Sequence, residues 1–283
     1  MKNIVSILIG LSLLPFVRAI GQESADIELD SAIISKIFSS TQMEKDENAG
    51  ALLVRVALSL LDTPYVGATL EVGDEERLII NLREFDCTTF METCVAITRA
   101  IQMHTPTFEA YCKELERIRY RNGVVSGYTS RLHYTTEWIA DNEAKGVVED
   151  VTKEIGGIAF MVKINYMSTH ADKYKQLKGR LERIARIKQI EDKVSKRGGY
   201  YYIPKEDIPD LSGLILNGDI ICFTTSIAGL DVSHIGIAYW QKNKLTFIHA
   251  SSSAKKVIIN PESLNNYCAG INSNTGIIVV KLR

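Results

Sequence analysis

Two cysteines lie seven positions apart in the stretch FDCTTFMETC, at Cys87 and Cys94. A cysteine is a nucleophile where its surroundings favour the thiolate, and elsewhere it behaves as a small apolar residue. Apolar residues recur at helical spacing over 86–103, which predicts a helix headed by Cys87. Because the first turn of a helix exposes unpaired N–H groups, we expect a lowered pKa for the Cys87 thiol. Cys94 falls on the apolar face and should be buried and inert.

Two histidines in the second half of the chain could complete a site for nucleophilic catalysis. His234 begins the run SHIGIAYW, and His249 lies near the end of LTFIHAS. An antiparallel hairpin with its turn near Asn243 would place both imidazoles at the same end. A thiol nucleophile needs a general base, and the base needs an orienting partner. Cys87, His234 and His249 are therefore the catalytic candidates; the alternative is that each histidine is an ordinary core or edge residue.

The elements that position these residues change character along the chain. Helical apolar spacing predicts helices over 50–61, 86–103, 107–123, around 134–141 and over 168–198, after a lead-in helix within 20–48. The charged 168–198 segment has an inner stripe of Leu177, Leu181, Ile184 and Ile187. Segment 75–85 is interpreted as a strand and turn. After residue 199, short apolar runs separated by turn residues predict an antiparallel sheet. Helices followed by strands are typical of an α+β fold.

The composition and the N-terminus bound the class of protein. The 283 residues are 46% hydrophobic and carry a net charge of -1, so the chain can bury a core and shows no bias toward nucleic acid. Lys2, the apolar run 4–17 and the small residues to Ala19 are typical of a signal peptide over 1–19. The alternatives are an uncleaved anchor or a buried first helix. We predict a periplasmic or secreted protein without a stable membrane anchor after cleavage.

The five cysteines and five histidines bear on disulfides and metals. In an exported protein, an odd number of cysteines leaves at least one thiol without an intramolecular partner. The pairing of the other four stays open: Cys94, Cys112, Cys222 and Cys268. No H-x-H, H-E-x-x-H or C-x-x-C spacing occurs, so neither a metal nor another cofactor is predicted.

Five motifs in order, TPYVG, FDCTTF, NGDIICF, SHIGIAYW and FIHASS, resemble those of the NlpC-type papain-like cysteine hydrolases of cell walls. With SGYTSRLHYTTEWI and MSTHADKY, the chain resembles their N-acetylmuramoyl-L-alanine amidase-like branch over roughly 50–283. The resemblance implies a catalytic helix packed on a small antiparallel sheet, in a single domain over 20–283. A large insertion over 105–200, expected to be helical, would shape the cleft. DCTTF departs from the commoner Asp-Cys-Ser-Gly.

The resemblance also assigns roles. Cys87 would be the nucleophile, His234 the base and His249 the residue that orients His234. Tyr65 and Asp86 would line the site beside the thiol. The implied reaction is cleavage of the amide between N-acetylmuramic acid and L-Ala of peptidoglycan or muropeptides. We expect the protein to be a monomer. The alternatives are a γ-D-glutamyl-diamino-acid endopeptidase, a non-catalytic wall-binding protein of the same fold, and an acyltransferase with an apolar cleft.

Further substrate-binding candidates come from the insertion and from the end of the histidine hairpin. Arg131 could hold a peptide carboxylate by two hydrogen bonds, with His133 and Tyr134 beside it. The alternative is an ordinary salt bridge at the start of a surface helix. Ser251 follows His249 and could line the same cleft, or could be a plain turn residue.

Overall fold

The computed structural model describes residues 24–283, and the predicted signal peptide lies outside the described residues. The first part of the chain is helical, as its apolar spacing predicts. Its helices are α1 Ser24–Ser40, α2 Ala49–Ser59, α3 Cys87–Gln102, α4 Phe108–Arg119 and α5 Thr135–Ala144. Short 3-10 turns at Arg121–Gly123 and Tyr128–Ser130 connect α4 to α5. No helix within 24–283 is long and apolar enough to cross a membrane.

The insertion is not purely helical, contrary to our expectation. After α5 it contributes β1 Val148–Asp150, β2 Ile158–Phe160, α6 Tyr166–Thr169, the 3-10 turn Ala171–Lys173 and α7 Leu181–Arg197. The helix predicted over 168–198 is interrupted because Gly179 adopts a positive φ of 73° and turns the chain before α7. Leu181 is consequently 81% exposed rather than part of an inner stripe, whereas Leu177 and Ile187 are buried as predicted.

The rest of the chain forms the strands of one sheet. They are β3 Tyr200–Pro204, β4 Ile220–Thr225, β5 Val232–Gln241, β6 Lys244–Ser251, β7 Lys256–Ile259 and β8 Asn274–Leu282. Short helices α8 Ile208–Leu211 and α9 Leu264–Gly270 lie between strands, and a 3-10 turn, Ser212–Leu214, follows α8. The α+β fold is therefore confirmed.

All strand pairs are antiparallel, in the order β2-β3-β8-β4-β5-β6-β7, and β1 pairs with β8. Gln241 pairs with Lys244, so β5 and β6 are joined by the two-residue turn predicted near Asn243. Lys242 takes the positive φ of 55° that such tight hairpin turns require. This register brings the start of β5 next to the end of β6.

Period-two alternation divides the sheet into two apolar faces. One face packs against α3 and contributes Cys222, Ile235, Ile237, Ile248 and Ile278. The opposite face carries Phe223, Ala238, Phe247 and Ile277 and is covered by Leu264 and Cys268 of α9. Alternate residues of a strand point to opposite faces, so each strand serves both cores.

Segment 75–85 does not form the predicted strand. Among residues 24–283, its only ladder contact is an isolated bridge between Phe85 and Tyr65. Leu78, Ile80 and Leu82 are nevertheless buried in the core. Their apolar alternation thus reflects burial of an extended segment rather than pairing in the sheet.

Candidate active site

Cys87 is the first residue of α3, and a capping box defines that start. The Asp86 carboxylate accepts a hydrogen bond from the Thr89 N–H at 2.8 Å, and the Thr89 hydroxyl accepts one from the Asp86 N–H at 2.9 Å. These two bonds satisfy donors at the helix start and at its cap. The thiol is half-buried there, where the sequence predicts the nucleophile.

The surroundings of Cys87 stabilise the thiol rather than the thiolate. Burial raises its pKa to about 11, and the negative charge of Asp86 acts in the same direction. The N–H of Ile235 and the hydroxyl and N–H of Thr88 bond to the sulfur and lower the pKa, but they do not offset the loss of hydration. The expected lowered pKa is therefore wrong for the free site, because burial and the charge of Asp86 outweigh the hydrogen bonds to the sulfur.

Cys94 differs from Cys87 as predicted. It is fully buried on the face of α3 that meets the sheet, and burial holds its pKa well above the ordinary value. All five cysteines lie within the described residues and are free thiols. Four of them are buried structural residues: Cys94, Cys112, Cys222 and Cys268.

The two histidines meet as predicted. His234 Nε2 and His249 Nδ1 lie 2.6 Å apart, and the rings are nearly perpendicular at 84°. Burial lowers the pKa of His234 to about 4, so the imidazole is neutral at pH 7. Burial also lowers the pKa of His249, to about 3; His234 adds to this effect, and the Asn260 side chain partly opposes it.

The backbone of β5 connects the thiol to the histidine pair. Ile235, whose N–H bonds to the Cys87 sulfur, follows His234 directly in the strand. The described hydrogen bond of the His234 side chain runs to His249, not to the thiol. Catalytic hydrogen bonds are often loose in unliganded sites, so this arrangement is compatible with proton transfer once substrate is bound.

Tyr65 lies beside the thiol, as the resemblance implies. The N–H of Phe85 donates to Pro64 O, and the N–H of Val66 donates to Phe85 O, both at 3.0 Å. These bonds hold Tyr65 next to the residue that precedes Asp86. Burial raises the pKa of Tyr65, and the charges of Cys87 and Asp86 raise it further. The long stretch between Tyr65 and Cys87 thus forms a loop whose two ends meet at the site.

A second tyrosine, Tyr267 of α9, completes the surroundings of the thiol and was not among the predicted residues. Its ring centroid lies 6.1 Å from that of His234 and 5.9 Å from that of His249. Burial raises its pKa to about 12, and Cys87 adds to the shift. The stretch LNNYCAG has no motif or spacing that relates it to the other site residues, so sequence inspection offered no signal.

Three residues predicted to bind substrate have internal partners instead. Arg131 is 6% exposed and forms ion pairs with Glu71 at 2.8 Å and Glu76 at 3.3 Å. The Tyr134 hydroxyl is buried and donates to Glu191 at 2.7 Å. His133 packs on the Tyr128 ring at 4.5 Å and hydrogen-bonds to Tyr128 O at 3.0 Å. For Arg131 these contacts favour the salt-bridge alternative, with the pair buried rather than on a surface helix, because a buried, paired guanidinium does not offer its donors to a ligand.

Ser251 also has a structural role. It is 3% exposed, and its hydroxyl accepts a hydrogen bond from the Ala254 N–H at 3.1 Å within the turn between β6 and β7. The turn alternative therefore explains this residue. Across 24–283, no group of three or more His, Cys, Asp or Glu side chains is arranged to hold a metal ion.

Residues 55–277 match the AmiA-like family, described as N-acetylmuramoyl-L-alanine amidase-like. An N-acetylmuramoyl-L-alanine amidase from Bacteroides uniformis is 39% identical, with 83% of this chain and 99% of that chain covered at a TM-score of 0.79. A Bacteroides fragilis protein described as a xylanase is 41% identical over 80% of this chain and 99% of its own, at a TM-score of 0.76.

A Legionella pneumophila protein at 21% identity, covering 92% of this chain and 97% of its own, shares the fold at a TM-score of 0.71. No functionally curated protein matches the chain. The family match spans well over half of the sequence and both halves of the site. The chain therefore belongs to the N-acetylmuramoyl-L-alanine amidase-like family.

Proposed function

We propose that this protein is an exported cysteine amidohydrolase with a papain-like, NlpC-type core. It cleaves the amide between N-acetylmuramic acid and L-Ala of muropeptides. The observation that carries the proposal is the juxtaposition at β5: the Ile235 N–H bonds to the Cys87 sulfur, and the adjacent His234 is hydrogen-bonded to His249. The family and the B. uniformis amidase support the choice of bond.

The hydrogen bond between the imidazoles is compatible with the tautomer that a general base requires. His234 Nε2 is engaged with His249, which leaves Nδ1 to accept the thiol proton. Nδ1 needs a free lone pair, so Nε2 carries the hydrogen and donates it to His249 Nδ1. The His249 proton then resides on Nε2. In this role His249 fixes the ring of His234 and stabilises its positive charge when it forms.

The pKa values favour proton transfer during attack rather than a preformed ion pair. At pH 7 both the thiol, with its pKa near 11, and His234, with its pKa near 4, are neutral. As the sulfur bonds to the lactyl carbonyl carbon, its proton moves to His234 Nδ1. The carbonyl oxygen becomes an oxyanion, for which the Cys87 N–H at the helix start is the donor we assign.

Collapse of this intermediate breaks the carbon–nitrogen bond and gives a thioester. His234 passes its proton to the departing amino group of L-Ala, which leaves with the stem peptide. A water molecule then attacks the thioester while His234 takes its proton. The thiol is regenerated, and N-acetylmuramic acid is released with a free lactyl carboxylate. Within each half of the cycle His234 passes on the proton that it accepts: the thiol proton goes to the amine during acylation, and the water proton goes to the departing sulfur during hydrolysis.

The xylanase description of the B. fragilis protein represents a different reaction class. Glycoside hydrolysis uses two carboxyl groups on opposite sides of the bond. Within 24–283, the carboxylate beside Cys87 is that of Asp86, and it is occupied in capping α3. A thiol next to paired imidazoles suits acyl transfer, so the site favours an amidase. The stem-peptide endopeptidase would use the same groups, and no observation here favours it.

Digestion of purified muropeptides by the mature protein tests this proposal. Cys87→Ala is the test variant, and Cys94→Ala is the matched control on the same helix. We expect wild type and the Cys94 variant to release stem peptides that begin with L-Ala, detected by mass spectrometry. The Cys87 variant should release none. A cut inside the stem would identify the endopeptidase instead, and cleavage that survives loss of Cys87 would refute a thiol mechanism.

Localisation and partners follow from the same proposal. The leader over 1–19 directs export, so the muropeptide substrate is met in the periplasm or outside the cell. We infer that the protein acts as a monomer and without a bound cofactor, since the proposed mechanism uses only its own side chains and water.

A further inference from the structure

We propose that Tyr267 is a positioning residue of this active site: its ring forms the solvent-side wall of the His234–His249 pair and keeps that pair dry and oriented. The inference rests on the proposed function only for the identity of the reaction. The claim that Tyr267 keeps the two imidazoles dry and fixed holds for any reaction that this pair performs.

The first support is the aromatic enclosure around the two imidazoles. The Phe223 ring lies 5.9 Å from that of His234, and the Phe247 ring lies 4.6 Å from that of His249, measured between centroids. Tyr267 contacts both of these rings, at 5.1 Å and 4.8 Å, in edge-on geometry. Edge-to-face packing at these separations is favourable for aromatic groups. Three aromatic rings and the two imidazoles therefore form one cluster.

The second support is the different exposure of the three aromatic rings. Phe223 and Phe247 are fully buried in neighbouring parts of the sheet, whereas Tyr267 is half-buried. Tyr267 belongs to α9, which packs onto the sheet from outside through Leu264 and Cys268. Removing the Tyr267 ring would open the cluster to water without disturbing the sheet itself.

The ring rather than the hydroxyl carries the role. Within the described part of the chain, the Tyr267 hydroxyl has no hydrogen-bond partner, and its pKa of about 12 keeps it neutral at pH 7. A phenylalanine ring would enclose the imidazoles equally well. A side chain without a ring would leave space for water beside His234.

The consequence concerns the charge state of the base. His234 faces His249 from β6 and Tyr267 from α9, and Cys87, Asp86 and Tyr65 lie on the adjacent side of the site. Water admitted at position 267 would solvate the imidazolium form and raise the pKa of His234 toward its ordinary value. At pH values between the lowered and the raised pKa, His234 would then be protonated and could not accept the thiol proton.

The test compares Tyr267→Phe, Tyr267→Leu and Tyr267→Ala with the wild type. Tyr201→Ala is the matched control, because it removes another half-buried tyrosine ring, on β3, near Lys153. The measurements are the pH dependence of kcat and KM on muropeptides and the NMR titration of the histidine ring protons. The titration reports on the imidazoles even if muropeptides are not the substrate, so the two proposals can fail separately.

We expect the Phe variant and the control to behave like the wild type. In the Ala variant, kcat should fall by about 10-fold on the acidic limb of the rate profile, where His234 becomes protonated, with little change in KM. The acidic limb of the rate profile and the His234 titration should both move up by about one pH unit or more. The Leu variant, which retains apolar bulk, covers the case in which the Ala variant does not fold. A folded Ala or Leu variant with unchanged histidine titration and unchanged kcat would overturn the proposal.

Discussion

Cys87 and Cys94 share one helix and differ in what surrounds each sulfur. Cys94 is enclosed by apolar side chains of α3 and the sheet. The Cys87 sulfur accepts hydrogen bonds from the N–H groups of Ile235 and Thr88, and it interacts electrostatically with Tyr65 and Tyr267. The same residue type therefore has a structural role at Cys94 and, in the mechanism that we propose, a chemical role at Cys87. Asp86 links these roles, because it starts the helix and also disfavours a free thiolate.

The raised pKa of Cys87 predicts how the thiol reacts with a neutral alkylating agent. Because the thiol ionises near a pH of about 11, alkylation by iodoacetamide should accelerate steadily as the pH rises from neutrality. Peptide mass spectrometry should locate the label at Cys87, with Cys94 unlabelled in the folded protein. Cys87→Ala is the control for labelling elsewhere. Rapid labelling that is already independent of pH in the acidic range would instead indicate a preformed thiolate–imidazolium pair.

At the level of elements, α3 and α4 are joined by a buried ion pair close to the site. Arg119 Nε lies 2.6 Å from a Glu92 carboxylate oxygen, and both side chains are almost fully buried. Arg119 also donates to Ile79 O at 2.7 Å, which ties the pair to the loop between Tyr65 and Cys87. The position of the α3 start and the conformation of the loop that precedes it thus depend on the buried charges of Arg119 and Glu92.

Breaking this pair should destabilise the protein strongly. Arg119→Met leaves the Glu92 carboxylate buried without its cation, which we expect to cost about 3–5 kcal/mol of unfolding free energy. The double variant Glu92→Leu, Arg119→Met should recover much of that loss, since no unpaired charge remains. Urea denaturation measures both values.

The exposed pair of Lys113 and Glu109 on α4 is the matched control, with side chains 70% and 62% exposed. Lys113→Ala should change the unfolding free energy by less than about 1 kcal/mol. If Arg119→Met were as mild as this control, the buried pair would not be holding the two helices together.

At the scale of the whole molecule, buried histidines couple stability to pH. Burial lowers the pKa of His133 to about 3, that of His234 to about 4 and that of His249 to about 3. An unfolded chain binds these protons near a pH of about 6.5. The unfolded state therefore takes up more protons as the pH falls below that value, and the folded state is favoured less.

We predict that the unfolding free energy is highest, with respect to these groups, above about pH 6.5 and declines toward pH 4. His133→Gln removes the one of these three groups that lies outside the His234–His249 pair, so the stability of this variant should decline less steeply over this window. Denaturant titrations at several pH values measure the slope. His104→Gln, which removes an exposed imidazole, controls for the loss of a histidine. An identical slope for wild type and the His133 variant would contradict the prediction.

Local patterns in the sequence were sufficient for the α+β fold, the helix at Cys87 and the histidine hairpin. Helical and alternating periodicity reflect which faces are buried, and capping and turn residues act within a few positions. The strand predicted over 75–85 fails because alternation reports burial, which an extended loop under a core can also satisfy. Leu181 is exposed because Gly179 ends the preceding turn, a local event that apolar spacing alone does not reveal.

The sequence by itself determined the candidate chemistry: a thiol at a helix start and two imidazoles at one end of a hairpin. Only the tertiary structure decided that Arg131 forms ion pairs with Glu71 and Glu76, and that Tyr267 packs beside the histidine pair. The physical reason is the range of the interactions involved. Capping, hairpin turns and amphipathic faces depend on neighbours along the chain, whereas burial, ion pairing and dehydration depend on residues that are distant in sequence and adjacent only after folding.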